Sequence, residues 1–210
     1  MSTSREHSWA SPGPAGLVAL AMACFTFYAL LTGKVGQGAV PLLGIWLLGG
    51  FVVQFAVALI ELREGNITGG NVFLFFSAFF MLVTGLGMLF KFQAAVNGWK
   101  IDPRIDGWAW LALAIALTAW TPAYLRAPLT LLMMVLLFDP ALFLIALADM
   151  GVISKNSLAI AGYLVLIGGV LGLYTAAAVV LNTSYGRVVL PFPGPLIRPQ
   201  PAPKVAADER

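Results

Sequence analysis

One acidic side chain, Asp139, stands in the middle of an otherwise apolar run, residues 128–148, and Pro140 follows it directly. In a segment that crosses a bilayer, a central carboxylate costs about 2.5–3.5 kcal/mol on insertion scales. It must therefore face a water-filled path, find hydrogen-bond donors, or take up a proton, because a low dielectric disfavours its charged form. The proline adds polarity at the same depth: it lacks an N–H and leaves the carbonyl of Leu136, four residues earlier, without its helical donor. Arg126 is thirteen residues away, about 20 Å along a helix, and no other apolar run holds a lysine or arginine. Two readings follow. Asp139 lines a path through the membrane and carries a proton, or it is a carboxyl held by hydrogen bonds in a helix interface.

Covalent chemistry has little to work with. His7 and Cys24 are the only residues of their types, which leaves no His/Cys set for a metal, no Cys–His nucleophile and no intrachain disulfide. Asp139 and Asp149 would lie about 15 Å apart on one helix, too far to share a proton as a catalytic pair does. The sequence thus predicts a protein that is not an enzyme and uses neither metal nor cofactor. Gln54 and Tyr174 are the next candidates for lining a path, since each is large and polar and lies within its run rather than at its end. Smaller polar residues such as Thr26, Ser77, Thr84 and Thr121 are expected to bond between helices, at about 0.6 kcal/mol each.

Helices must position these side chains. Six apolar runs, roughly 14–33, 39–60, 71–90, 107–125, 128–148 and 157–181, fill the chain, with Asp139 the one charged residue inside them. At about 1.5 Å per residue each run can span a hydrocarbon core of about 30 Å. Hydrophobic residues make up 60% of the chain and charged residues 10%, and the mean hydropathy is +0.91. The predicted fold is an all-α membrane protein of six transmembrane helices per subunit, with the lipid bilayer as its solvent. An N-terminal tail, 1–13, precedes the transmembrane domain, 14–181, and a C-terminal tail, 182–210, follows it. The net charge of +3 comes from dispersed residues, so nucleic acid is not an expected partner.

Six spans put both termini on one side. Arg5, Arg63, Arg126, Arg187, Arg198, Lys204 and Arg210 fall on that side, against Lys34, Lys91, Lys100, Arg104 and Lys155 on the other. The excess predicts cytoplasmic termini in a bacterial inner membrane or plasma membrane. The polar stretch between Lys91 and Asp106 is expected to cap one mouth, and the proline-rich tail after Pro191 to be extended or disordered. Gly49-Gly50, Gly85 with Gly87, and Gly168-x-x-x-Gly172 permit close helix approach, within a subunit or between subunits.

Several words in the chain occur together in a known order. Ser11-Pro12-Gly13-Pro14-Ala15-Gly16-Leu17 is similar to an Asn-Pro-Ala-Pro-Leu-Gly-Leu opening motif. Gln54 with Glu61-Leu-Arg-Glu-Gly65-Asn66 resembles a Gln…Glu-x-x-x-Gly-Asn stretch, and Asn71-Val-Phe73 the start of a third helix. Tyr174…Asn182-Thr-Ser-Tyr185-Gly186-Arg187-Val-Val-Leu190-Pro191 resembles a closing Tyr…Asn…Phe-Gly-Arg-x-x-Leu-Pro pattern. Over residues 11–191 these words resemble the acetate uptake transporter family, which includes the bacterial succinate–acetate permeases and their fungal relatives.

The resemblance implies six helices per subunit, a ring-shaped homo-oligomer (a hexamer), and a separate path for small carboxylates through each protomer. It further implies a constriction built from an aromatic of helix one, a tyrosine of helix three and a leucine of helix five. Counted without gaps from the flanking motifs, those positions fall on Leu20, Phe76 and Asp139, and a small pore-facing residue of helix six falls on Gly172. None of the three constriction residues is identical, and Ser11 replaces the opening asparagine. A carboxylate there would repel an acetate anion by about 4 kcal/mol at 4 Å and an effective dielectric of about 20. Either Asp139 is protonated as substrate passes, or the solute is not an anion. The expected function is a transporter or channel for acetate and related small monocarboxylates, with proton coupling through Asp139. The alternatives are a channel for a neutral amide- or urea-type solute and a non-transporting membrane scaffold.

Overall fold

A computed structural model describes residues 9–198. Among them the regular structure is entirely helical: α1 Gly13–Leu31, α2 Val40–Arg63, α3 Ile67–Val96, α4 Arg104–Trp120, α5 Leu129–Asp149 and α6 Leu158–Tyr185. All six, α4 together with the 3-10 elbow Thr121–Arg126 that follows it, are long and apolar enough to cross a membrane. In hydrocarbon no water can satisfy an open backbone, so each crossing segment closes its own hydrogen bonds as a helix. The outer faces stay apolar, as a lipid-facing bundle requires: Leu42, Ile45, Trp46 and Val52 of α2 and Ile160, Ile167 and Val170 of α6 are exposed.

The helices neighbour one another in the order α4, α5, α6, α1, α2, α3. The ring closes between α3 and α4 mainly through side chains, with Phe80 against Trp110 at 5.8 Å, Phe75 against Trp120 at 5.5 Å, and an ion pair of Lys91 with Asp106. Lys91 and Asp106 thus lie in helices, not in a connecting loop as the apolar runs suggested. The runs stopped at the first charges, but an ion pair and the aqueous boundary let both helices extend past them.

Glycines set the closest approaches. A Cβ on Gly44 would lie 2.8 Å from the carbonyl oxygen of Gly85, one on Gly168 2.3 Å from the Phe138 ring, and one on Gly169 2.7 Å from Cβ of Cys24. Gly168 and Gly172 are therefore used inside the subunit, against α5 and α1, and their spacing gives no support to a hexamer. In the middle of α3, residues Phe76–Val83 form a π-helical segment, and the Thr84 hydroxyl donates to the carbonyl of Phe79, five residues back, at 3.0 Å. Such wide turns recur at functional sites because they re-aim side chains within a straight helix.

The segment after α6 is not free. Gly186 takes the left-handed conformation, φ +60°, that ends α6. Asn182 then clamps the returning chain, its Oδ1 accepting from the N–H of Val189 at 2.7 Å and of Leu190 at 2.9 Å. The Tyr174 hydroxyl donates to the carbonyl of Pro191, the Leu129 N–H to that of Pro193 at 3.2 Å, and the Ile197 N–H to that of Leu125 at 2.9 Å. Prolines lack donors but keep carbonyls; the Tyr174 hydroxyl of α6 and the first amide of α5 supply the donors, while Leu125 of the α4–α5 elbow accepts from the strap. Residues 191–198 thus form a strap on the bundle, where disorder was an alternative expectation; the rest of the tail lies outside the described residues.

Candidate functional site

Three cavities connect through shared walls. The first opens on the side of the termini, holds about 220 Å³, and is bounded by α1, α2, α3, the α4–α5 elbow, α5, α6 and Phe192 of the strap. Its rim is organised by Glu61, a buried carboxylate. Ser11 Oγ donates to Glu61 Oε1 at 2.8 Å, and Asn66 Nδ2 donates to Glu61 Oε2. Asn66 also caps α3 by accepting from the Gly69 N–H at 3.0 Å, which satisfies one of the orphan donors at that helix start. Gly65, at φ +83°, makes the turn between α2 and α3. The opening motif serves the same rim: Pro12 precedes α1, Pro14 sits in its first turn, where the missing N–H does no harm, and a Cβ on Gly16 would strike the Phe73 ring at 2.7 Å.

Deeper in the same cavity lies Gln54, fully buried. Its Nε2 donates to the Gly16 carbonyl at 3.3 Å, while Oε1 has no partner among the described residues. Exchanging the two amide atoms would set oxygen against oxygen, so the Gly16 carbonyl fixes which end is free. Beside it the hydroxyls of Thr175 and Thr130 meet at 2.7 Å.

Leu20 and Phe76 form the floor of this cavity and the wall of the next. The middle cavity holds only about 30 Å³, and Leu20, Cys24, Phe80, Phe138 and Leu142 are among its walls, to which no nitrogen or oxygen contributes. A carboxylate entering it would give up its hydration and gain no donor, a penalty of several kcal/mol even after relaxation. Gly168 makes room for the Phe138 ring, and the π-helical segment of α3 brings Phe76 and Phe80 edge to face at 5.5 Å. The third cavity opens on the far side, holds about 570 Å³, and shares Phe27, Trp110 and Ile145 with the middle one. Lys91, Asp106 and Asp149 line it.

Of the residues singled out from sequence, Leu20, Gln54 and Phe76 come together on these walls. Asp139 does not. Its Oδ2 accepts from the Thr121 hydroxyl of the elbow at 2.8 Å, its Oδ1 is buried without a partner among the described residues, and it lines none of the three cavities. Phe138, one residue earlier and about 100° around the helix, takes the inward position. Tyr174 is likewise turned away, onto the strap, and its neighbour Thr175 faces the first cavity. Gly172 is buried between Met134 and the Leu17 backbone, and Arg187 is exposed after the end of α6.

The sequence matches the GPR1/FUN34/yaaH family over residues 1–194. No curated protein matches it. Among solved structures, that of a protein described as the bacterial acetate channel SatP superposes with a TM-score of 0.75 at 21% identity, over 88% of this chain and 99% of that one.

Proposed function

The chain belongs to the GPR1/FUN34/yaaH family, and on that premise we propose that it is a membrane transporter or channel for acetate and related small monocarboxylates. The observation that carries the reading is the succession of two vestibules joined through Leu20, Phe76 and the middle cavity, in a fold like that of a protein described as an acetate channel. No step of the proposal makes or breaks a covalent bond. Asp139 is read as a packing group that joins α5 to the elbow, with no proton routed through it. A homohexameric ring in a cell membrane, with cytoplasmic termini, remains part of the proposal; the family resemblance and the seven-to-five distribution of basic residues support it.

Labelled acetate uptake into proteoliposomes tests the reading. Uptake above that of protein-free vesicles, lost when Phe76 is replaced by Trp to fill the middle cavity, is the expected result. A second reading, a channel for a neutral amide- or urea-type solute, is favoured by the absence of any nitrogen or oxygen on the middle wall; uptake of acetamide without acetate would select it. Silence toward both would leave the membrane scaffold.

A further inference from the structure

We propose that the end of the strap is a lipid-binding element: Leu196 and Ile197 rest at the edge of the hydrocarbon, and Arg126 and Arg198 hold the headgroup phosphates of anionic phospholipids in the leaflet on the side of the termini. Nothing in it depends on the transport reading. Residues 195–198 also lie past the part of the chain that the family matches, which ends at residue 194.

Depth comes first. Helix α5, Leu129–Asp149, has 21 residues, or about 31 Å at about 1.5 Å per residue, and a hydrocarbon core is about 30 Å thick. Its first residue therefore lies at the core boundary. The Leu129 N–H donates to the carbonyl of Pro193 at 3.2 Å and the Ile197 N–H to that of Leu125 at 2.9 Å, so main-chain bonds fix the strap at that depth. Phe192 lines the first cavity, whereas Leu196 and Ile197 line none of the three and are 62% and 46% exposed. Trp120, exposed at the end of α4 beside the same elbow, is the residue type that anchors at this boundary.

Charge then selects the partner. Arg126 follows Leu125 and Arg198 follows Ile197, so the bond between Leu125 and Ile197 brings both arginines to one edge of the elbow. Both are exposed, and neither has a carboxylate partner among the described residues. Neighbouring guanidiniums repel until an anion lies between them, and their planar N–H fork matches a phosphate. A second copy does not supply that anion. On the side of the termini the described acids are Glu61 and Glu64; Glu61 is buried with both oxygens bonded, and Glu64 accepts from the Trp9 N–H. A neighbouring copy in a ring brings the same basic face to the same leaflet. Anionic lipid meets both needs at once, with phosphates for the arginines and acyl chains for Leu196 and Ile197.

A fluorophore attached at Leu196→Cys in the full chain tests this; Cys24, the other thiol, is buried. Proteoliposomes of phosphatidylcholine carry an equal minor fraction of doxyl-labelled phosphatidylglycerol or doxyl-labelled phosphatidylcholine, and acrylamide probes from the water. Both doxyl lipids should quench, and acrylamide only weakly. Phosphatidylglycerol should be enriched at the probe by about fivefold or more, the factor that one arginine gives at about 1 kcal/mol. The preference should vanish in the double variant Arg126→Gln with Arg198→Gln, eluting like the parent protein, while quenching by phosphatidylcholine persists. It should vanish likewise at about 1 M salt, which screens charges beyond about 3 Å. Quenching by acrylamide and by neither lipid places the end of the strap in water and overturns the proposal. Shielding from all three quenchers means that a second copy covers it, which also overturns the proposal. Equal quenching by the two lipids removes the role of the arginines, and with it the anionic partner.

Discussion

The Thr121 hydroxyl lies 2.8 Å from Asp139 Oδ2 and 3.1 Å from the carbonyl oxygen of Leu117. It has one proton and two acceptors, so removing the carboxylate does not strand it. The Thr121–Asp139 bond should therefore be worth an ordinary intramembrane amount, about 0.6 kcal/mol and at most about 1.7 kcal/mol in a double-mutant cycle. Asp139→Asn and Asp139→Leu should both assemble and transport within twofold of the parent, with unchanged pH profiles. A well-assembled Asp139→Asn protein that has lost its transport or its pH dependence would return Asp139 to the path.

Gly168→Ala tests the fit of the Phe138 ring. An alanine ordinarily favours a helix by about 1 kcal/mol over glycine, yet this Cβ would sit 2.3 Å from the ring. Overpacking of that kind costs about 1–3 kcal/mol, so the thermal midpoint in detergent should fall. Adding Phe138→Leu should recover it. Equal losses with and without the second change would mean that the strain lies elsewhere.

The rim offers a third test. Glu61 receives donors on both oxygens, from Ser11 and Asn66. In Glu61→Gln the amide oxygen can still accept from Asn66 and the NH2 can donate to the Ser11 hydroxyl, which accepts as well as donates. What is lost is the charge assistance of the two bonds, about 1 kcal/mol. Hydrogen exchange at the first turn of α3 should rise, since Asn66 also holds that turn through Gly69. Unaltered exchange there would separate the rim from the cap.

Strap and elbow are coupled through main-chain bonds. Tyr174→Phe removes the hydroxyl that donates to Pro191, a loss of about 1 kcal/mol. The Leu129 and Ile197 amides, which bond across the same contact, should exchange faster as a result. If only the neighbourhood of residue 174 responds, the strap is held by its other contacts alone.

On the far side, Arg104 holds the exposed Asp102 carboxyl well below its ordinary 3.8, at about 2, mainly by hydrogen bonds from its guanidinium and N–H. A lowered folded value means the contribution is complete above pH 3.8 and is lost as pH falls through 2. Arg104→Gln should bring the Asp102 titration, followed by carbon NMR, back toward the ordinary value. No movement would assign the shift to the loop backbone.

Six crossings were legible because hydropathy needs no register: any arrangement of about twenty apolar residues will span a bilayer. The inward face was harder. Leu20, Gln54 and Phe76 were named from family spacing or from size and polarity, and they do line cavities. Asp139 and Tyr174 were chosen by the same criteria and miss by one residue each, with Phe138 and Thr175 in their places. One residue is about 100° of helix, enough to turn a side chain from a cavity to a neighbouring element. Polarity misled because the middle of the candidate path is dry. The glycines opposite Phe138 and Cys24 were visible, but their partners were not. The π-helical segment has no composition of its own, so nothing in Phe76–Val83 announced it.

The strap also dates the completion of the vestibule it borders. Leu125, Leu129 and Tyr174 all precede Phe192, so the ribosome delivers the last wall only after every crossing segment has been made. At about 5–20 residues per second, Phe192 is polymerised within roughly a second of the end of α6. The strap docks from the aqueous side and crosses no lipid, so this final step of maturation needs no insertion machinery. A newly inserted bundle is thus unfinished on one side until its own C-terminal chain returns to it.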